Sequence, residues 1–255
     1  MSPADPSKKL AGLLKRLRSK YDAEKPCRIS GPDVPAREAI VDELVYSILM
    51  WEASSNQAKA AFKRLHEAFV DYNDLRAAID DEIVDVLGEK FPLALERARR
   101  LRAALHDIYR RQHGVSLGHL VDLSKRDAKA YLESLEGVPV FASHRVLLGE
   151  LHVHAVPVDE RLRDLLAAEG VLDEANDVHS ATTFLERNIH ADETLHAAAS
   201  LQAWSDDEGQ TPKREKRAQA PTIEIPVKPA PKKAEPKPTK PATAKKTKAK
   251  GKTGG

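Results

Sequence analysis

Apolar residues recur at helical spacing along most of the first 210 positions of the chain. Residues three and four apart share one face of a helix, so this spacing predicts amphipathic helices. Runs of alternating β-branched residues, which would predict strands, are almost absent. We therefore predict an all-α domain of about ten helices joined by short polar segments. The clearest apolar stripes are Leu10, Leu13, Leu14, Leu17; Ile40, Leu44, Ile48, Met50, Trp51; Phe62, Leu65, Phe69; and Leu93, Leu101, Leu105, Ile108.

Several joints between the predicted helices carry capping chemistry. Pro92 is placed for the first turn of a helix over 92–113, and Gly114 follows the last turn of that helix. Ser124 is placed to cap the next helix, with Asp127 at the third position. Residues 22–37 lack helical spacing and contain three prolines, which favours an irregular loop on the surface.

The last 45 residues differ sharply in composition from the rest of the chain. Residues 211–255 contain 14 Lys and Arg, 3 acidic residues, 8 of the 16 prolines and no aromatic residue. Such a segment has too little apolar surface to offset the entropy lost on ordering, so we predict a disordered tail after a folded domain at 1–210. The total charge of +2 is therefore the sum of two regions of opposite charge. The predicted domain has a net charge of −9 and the tail has a net charge of +11.

Cysteine usage and hydropathy narrow the class of protein. Cys27 is the only cysteine, which excludes an intramolecular disulfide and a cysteine-ligated zinc or iron–sulfur cluster. No run approaches the roughly 18 apolar residues of a membrane span, and the basic N-terminus lacks the apolar core of a signal peptide. His152 and His154 are a weak metal signal without a third ligand at fixed spacing. We expect a cytoplasmic protein without a metal or other cofactor and without membrane binding.

The predicted helix 92–113 is the densest basic stretch of an otherwise acidic domain. Such a stretch is usually a solvated face, but it is also the place where the domain would contact phosphate. Arg99 and Arg102 are the candidates for that contact. The six arginines are Arg97, Arg99, Arg100, Arg102, Arg110 and Arg111.

The order of the segments resembles a known family. The stretches are LLKRLRSKY, ELVYSILMWEASSNQAKAAFKRL, RARRLRAALHDIYRRQHG, LEGVPVFASHRVLL and VPVDERLRDLL. Together they are similar to the endonuclease III-like branch of the helix-hairpin-helix (HhH-GPD) DNA glycosylases, from about Leu10 to about Asn188. The resemblance implies that family's helical fold, binding of double-stranded DNA and a place in base-excision repair.

The hairpin motif of that family reads L-P-G-V-G-x-K-T-A, and this chain keeps part of it. Leu135, Gly137 and Val138 match, whereas Glu136 replaces the proline and Pro139 replaces the second glycine. The resemblance implies a phosphate site on the backbone at Gly137 and Val138. Pro139 has no N–H to donate and Glu136 adds a negative charge, so we expect weaker anion binding than in the family.

Phe141 stands at the position of the family's reactive lysine. In members with lyase activity, the lysine amine attacks the sugar and forms a Schiff base, which a phenyl ring cannot do. The resemblance therefore implies that lyase activity by this route is absent. We interpret the ring as core that fills the former pocket.

Two further positions bear on base excision. Asp159, in VPVDERL, stands at the position of the family's catalytic aspartate. It either stabilises positive charge on the sugar and orients water, or it is an N-cap of the following helix, and both interpretations stay open. Glu52, in LMWEASS, stands where the family inserts a glutamine into the space left by the extruded base. The charge of Glu52 would oppose that insertion among phosphates.

The tail resembles the C-terminal tails of linker histones, which bind DNA without sequence preference. Lys245, Lys246, Lys248 and Lys250 are its candidate DNA-binding residues, and a tail for solubility or RNA binding is the alternative. Two functions follow. The first is a DNA-associated scaffold or pseudoenzyme, held on the nucleoid by its tail and open to a protein partner. The second is a monofunctional DNA glycosylase that uses Asp159 and water.

Overall fold

Eleven α-helices and one 3-10 turn make up the secondary structure of the described residues. The computed structural model describes residues 5–21, 29–30, 34–88 and 90–209, and only the backbone of Glu38. Within these ranges no residue lies in a strand, so the all-α prediction is confirmed. The helices are α1 Pro6–Tyr21, α2 Ala36–Met50, α3 Ser55–Ala68, α4 Tyr72–Ala77, α5 Asp80–Leu87, α6 Ala94–Gln112, α7 Lys125–Glu133, α8 Val140–Gly149, α9 Glu160–Ala168, α10 Val178–Asn188 and α11 Thr194–Glu208, and the 3-10 turn is Gly118–Asp122.

Buried apolar residues form two separate clusters, which divide the described chain into two lobes. The large lobe, residues 36–155, packs α2 to α8 around a core that includes Ile48 and Leu101. The small lobe consists of α1 and residues 156–209, and its core includes Leu13, Leu166 and Trp204. The chain therefore starts in the small lobe, builds the large lobe and returns. The two lobes meet where the turn after α2 touches the start of α9.

Capping chemistry sets the helix boundaries, with one correction to the predictions. The side chain of Ser124 accepts a hydrogen bond from the backbone N–H of Asp127, as predicted. The helix predicted to start at Pro92 begins at Ala94, because Leu93 has a left-handed backbone with φ of 54° and occupies the N-cap. Pro92 therefore precedes the helix, and left-handed His113 ends it.

The predicted tail lies outside the described residues. The same holds for Cys27 and for most of the predicted loop at 22–37. The domain boundary at 210 and the disorder of the tail therefore stay predictions.

Candidate DNA-facing site

The turn between α7 and α8 has the close backbone approach that the hairpin motif predicts. Gly137 adopts φ of 76°, a left-handed conformation that favours glycine. A Cβ at this position would lie 2.8 Å from the carbonyl oxygen of Arg100 and 3.0 Å from the Cβ of Ala103, both on α6. Position 137 therefore requires glycine for two independent reasons, and the turn is packed against α6.

Asp107 of α6 anchors this turn. Its buried carboxylate accepts hydrogen bonds from Arg110 at 2.6 Å, from Arg111 at 2.5 Å and from the backbone N–H of Glu136 at 3.1 Å. Burial by itself raises the pKa of Asp107, but the two guanidinium groups and the N–H outweigh it and hold that pKa below its usual value. The N–H of Glu136 is thus directed into the protein.

Two arginines of α6 tie the hairpin turn to the helix from the other side. Arg111 donates to the backbone oxygen of Ser134 at 2.9 Å, and Arg100 donates to that of Gly137 at 3.3 Å. Pro139 is the N-cap of α8 and has no N–H to offer. Three polar backbone groups of the hairpin turn are therefore bonded to side chains of α6.

Phe141 is buried in the core of the large lobe, with 3% of its surface exposed. The neighbouring polar groups of α8 are also turned inward. The hydroxyl of Ser143 donates to the backbone oxygen of Val140 at 2.9 Å, and the Nδ1 atom of His144 lies 3.1 Å from the backbone oxygen of Val156. The position of the family's lysine is therefore occupied by packed core.

The turn after α2, residues 51–54, lies at the lobe junction. Glu52 has a left-handed backbone with φ of 57°, and its side chain is almost completely buried. The backbone oxygen of Trp51 accepts from Arg97, and that of Ala53 accepts from Arg161. Ser54 closes the turn with a capping box that starts α3. The segment aligned with the family's base-replacing loop is held by groups from α6 and α9.

Hydrogen bonds to backbone N–H groups connect the segments of Asp159 and Glu52 at the lobe junction. One carboxylate oxygen of Asp159 accepts from the backbone N–H of Leu162 at 2.9 Å, and the other accepts from the N–H of Glu52 at 3.2 Å. In return, the carboxylate of Glu52 accepts from the backbone N–H of Glu160 at 2.8 Å. Both carboxylates therefore cap α9, where the helix dipole favours negative charge. Asp159 is therefore the N-cap of α9.

The arginines of α6 face partners within the domain. Arg99 and Arg102, the candidate phosphate contacts, both pair with Asp80 at the start of α5. Arg97 is fully buried, with its guanidinium over the rings of Phe91 and Trp51. Arg100 also pairs with Glu96 at 2.6 Å. All six arginines contribute to intramolecular contacts.

The basic helix α1 follows the same pattern. Arg16 pairs with Glu169 at 2.5 Å, and Lys20 lies within 3.1 Å of both Asp207 and Glu208. Arg16 and Lys20 therefore face acidic groups at the ends of α9 and α11. These exposed pairs each contribute little to stability, but they lower the free positive charge of the domain surface.

The sequence analysis did not identify two buried residues, Asp107 and Arg161, whose hydrogen bonds hold the hairpin turn and the lobe junction. Asp107 has a signal in the sequence, because Arg110 and Arg111 follow it at the helical spacing of ion pairs. Arg161 has none. Its guanidinium is buried and donates to backbone oxygens, including that of Ser205 at 2.5 Å, and such partners leave no mark in the sequence.

The two histidines considered as metal ligands have separate partners. His154 lies 2.7 Å from the hydroxyl of Thr194 and 2.9 Å from the backbone oxygen of Glu186, and the backbone oxygen of His152 accepts from Lys125. Among residues 5–21, 29–30, 34–88 and 90–209, no group of three or more His, Cys, Asp or Glu is arranged to hold a metal ion.

None of the described helices is long and apolar enough to cross a membrane. The four candidate lysines of the tail lie outside the described residues.

Comparison with known proteins identifies the fold. No protein-family model and no curated protein sequence matches the chain. A solved structure of endonuclease III trapped covalently on DNA matches with a TM-score of 0.61 and 14% identity, over 86% of this chain and 94% of that one. A thermostable thymine-DNA glycosylase matches with a TM-score of 0.53 and 16% identity, over 82% and 92%. The H. pylori 3-methyladenine DNA glycosylase bound to 1,N6-ethenoadenine matches with a TM-score of 0.53 and 15% identity, over 82% and 97%. The chain has the fold of the helix-hairpin-helix DNA glycosylases, as the resemblance predicted.

Proposed function

We propose that this protein is a DNA-associated member of the glycosylase fold that has lost the chemistry of base excision and is held on DNA by its basic tail. Lyase activity by Schiff-base formation is absent, because position 141 carries a buried phenyl ring in place of an amine. The protein acts on the nucleoid in the cytoplasm, as a pseudoenzyme that also contacts a protein partner. The solved structures of this fold include DNA complexes, which supports DNA as the ligand.

The observation that carries the proposal is the pairing of Asp159 with Glu52. A catalytic carboxylate has to be accessible to the sugar, whereas Asp159 is only 4% exposed and each of its oxygens accepts a backbone N–H within the protein. Glu52 likewise faces Glu160. The two positions through which the family acts on an extruded base are joined to each other across the lobe junction.

The charge distribution supports binding through the tail. Arg99 and Arg102 of α6 and Arg16 and Lys20 of α1 lie beside acidic groups of the domain, and residues 1–210 have a net charge of −9. The tail carries a net charge of +11 and no aromatic residue. Its contacts with phosphate release counterions, so affinity should fall steeply with salt.

The experiment for the tail compares DNA binding by the full chain and by a variant with Lys245, Lys246, Lys248 and Lys250 changed to Gln. Loss of four phosphate contacts would lower the slope of log affinity against log salt by up to about 3.6. The matched control changes four exposed lysines of the described domain, Lys8, Lys15, Lys59 and Lys90, to Gln. An equal loss in the control, or undiminished binding after removal of residues 211–255, would contradict the role of the tail.

A second function is favoured by the position of Asp159. In the observed fold, this carboxylate lies at the junction of the lobes, at the start of the helix aligned with the family's active-site segment. On this basis the chain is a monofunctional glycosylase that releases a damaged base by hydrolysis.

Base release and strand nicking distinguish the two functions. The substrates are duplexes with an oxidised pyrimidine, uracil, a mismatched adenine or an alkylated purine, and the proteins are the full chain and Asp159→Asn. Base release that depends on Asp159, without nicking, would establish the hydrolytic glycosylase. No release on any substrate, with salt-sensitive binding intact, is the result that we expect.

A further inference from the structure

A shallow groove lies on the large lobe, between the end of α3 and helices α4 and α5. Phe69, Ala77 and Val86 give it an apolar floor. None of the residues that line it belongs to the hairpin or to the lobe junction. The groove is therefore separate from the elements that the proposed DNA function uses.

Two exposed apolar residues are hydrogen-bonded through their backbone N–H groups to carboxylates that line the groove, Val70 to Asp74 at 3.2 Å and Ile79 to Glu82 at 3.1 Å. Val70 follows Phe69 in the chain and is 94% exposed, and Ile79 follows Ala78, a lining residue, and is 57% exposed. They are the two most exposed large apolar side chains of the described residues. Ile79 is moreover the N-cap of α5, where Ser, Thr, Asp or Asn would satisfy the helix and where an apolar residue costs about 1 kcal/mol. Neither side chain is buried in the core, and exposed apolar groups beside a groove are typical of binding surfaces.

Acidic residues also line the groove. They are Asp74, Glu82 and Asp85, and no Lys or Arg lines it. The side chain of Asp85 makes no hydrogen bond among the described residues, whereas those of Asp74 and Glu82 also accept backbone N–H groups. Arg64, which comes near from α3, donates to the backbone oxygens of Val86 and Leu87. The groove thus combines an apolar floor with negative charge.

We propose that this groove binds a short basic, amphipathic segment of another protein. Apolar side chains of the segment pack on Phe69, Val70 and Ile79, and its Lys or Arg side chains face the carboxylates of Asp74 and Asp85. The sign of the charge favours a basic segment. DNA and anionic membranes are repelled by the acidic lining. A second copy would bring a domain of net charge −9 against it.

The test uses a labelled peptide of alternating lysine and leucine, with fluorescence anisotropy to measure its affinity for the full chain. A lysine–serine peptide and a glutamate–leucine peptide are the comparisons. We expect the lysine–leucine peptide to bind most tightly and its affinity to fall with added salt. Equal binding of the lysine–serine peptide would mean that only charge attraction operates, and no binding of the lysine–leucine peptide would remove the proposed occupant. Both results overturn the proposal.

Paired variants locate the binding. Val70→Ser combined with Ile79→Ser should weaken binding of the lysine–leucine peptide about tenfold. The two substitutions remove aliphatic surface that the peptide would cover when it binds. Val121→Ser, at a side chain that is 45% exposed and lies outside the groove, is the matched control. Asp85→Asn should weaken binding about two- to fivefold at low salt, and Glu174→Gln removes an exposed carboxylate elsewhere. Thermal unfolding of each variant shows that its fold is intact.

Three outcomes of the paired variants contradict the proposal. Equal losses in the variants and their controls would place the peptide elsewhere on the acidic domain. Unchanged binding in all variants would do the same. Light scattering that shows dimers of the wild-type chain, lost in the Val70→Ser variant, would assign the groove to a second copy. The DNA experiments above do not depend on any of these results, so failure of this proposal is distinguishable from failure of the tail's role.

Discussion

The hairpin turn and the lobe junction differ in what they keep of the family's DNA-facing surface. The hairpin keeps its backbone, since Gly137 has the left-handed conformation and the close approach to α6. The side chains around it have changed, with Phe141 buried in the core. The junction keeps a residue, because Asp159 stands at the aligned position. The surroundings of Asp159 differ, since Glu52 is hydrogen-bonded to the same helix start.

Shape and chemistry are therefore separable in this fold. A glycine at a left-handed turn is required by packing whether or not DNA binds. An aspartate before a helix caps the helix whether or not it acts on a sugar. A residue that matches the family at the hairpin turn or at the lobe junction is therefore evidence for the fold. Evidence for function has to come from the contacts of its side chain.

Phe141→Ala should give the largest effect and tests whether the former pocket is filled. The ring is buried among residues of the large lobe, so its removal should lower the free energy of unfolding by about 3–5 kcal/mol. Chemical denaturation of the full chain measures the change. Val140→Ala, at a neighbouring side chain that is 48% exposed, is the control and should change stability much less. A loss below about 1 kcal/mol for Phe141→Ala would indicate an open pocket at this position.

Gly137→Ala tests the retained shape of the hairpin. The left-handed backbone costs an L-residue about 1–2 kcal/mol, and the approach of its Cβ to the Arg100 carbonyl adds a comparable strain. We expect a total loss of about 2–4 kcal/mol in unfolding experiments. Gly12→Ala is the matched substitution, because Gly12 lies within α1 with nothing near its Cβ, and there we expect a gain of about 0.5–1 kcal/mol. Equal effects at both positions would show that the turn is not held as described.

Asp107→Asn tests the anchor of the hairpin and has a defined pH dependence. Loss of its charged hydrogen bonds should cost about 1.5–3 kcal/mol at neutral pH. The pKa of Asp107 is lowered in the folded state, so its contribution is present above the unfolded pKa of about 3.9 and disappears as the pH falls through the lower folded value. The stabilities of wild type and variant should therefore converge below about pH 4. Asp122→Asn, at an exposed pair with Arg37, is the control. A difference that persists unchanged at low pH would contradict the charged anchor.

The sequence predicted the helical class well because apolar spacing directly reflects which helix faces are buried. The stripe from Leu10 to Leu17 and the cap at Ser124 both appear as expected. The sequence analysis predicted the start of this helix at Pro92, whereas the helix begins at Ala94. No pattern in the sequence predicts the left-handed backbone of Leu93. Such a conformation is imposed by the surrounding packing.

The sequence selected the positions of the candidate site and gave no information about its geometry. Alignment with the family motif selected Gly137, Phe141, Glu52 and Asp159, and burial of Phe141 agrees with the interpretation as core. The bond between the Asp159 carboxylate and the N–H of Glu52 joins residues 107 positions apart. A contact at that separation depends on how the two lobes pack, and local patterns carry no information about it.

Conservative substitution of Glu52 tests the lobe junction with the smallest expected change in stability. In Glu52→Gln, the amide oxygen can still accept from the N–H of Glu160, and only the attraction of the charge to the start of α9 is lost, about 0.3–1 kcal/mol. In Glu52→Ala the acceptor is lost as well, so we expect about 1–2 kcal/mol. Unfolding of both variants should therefore rank Ala as the more destabilising substitution.

The same pair of variants distinguishes a structural role from a role on DNA. Glutamine is the residue that the family inserts into DNA, so Glu52→Gln restores the family's side chain. Because the side chain at position 52 is held at the lobe junction, we expect Glu52→Gln and Glu52→Ala to bind a duplex with an unpaired base no more tightly than wild type does. Anisotropy titrations at fixed salt measure this. Stronger binding by Glu52→Gln alone would mean that the side chain leaves Glu160 and reaches the bases, and the turn after α2 would then act as the base-replacing loop does in the family.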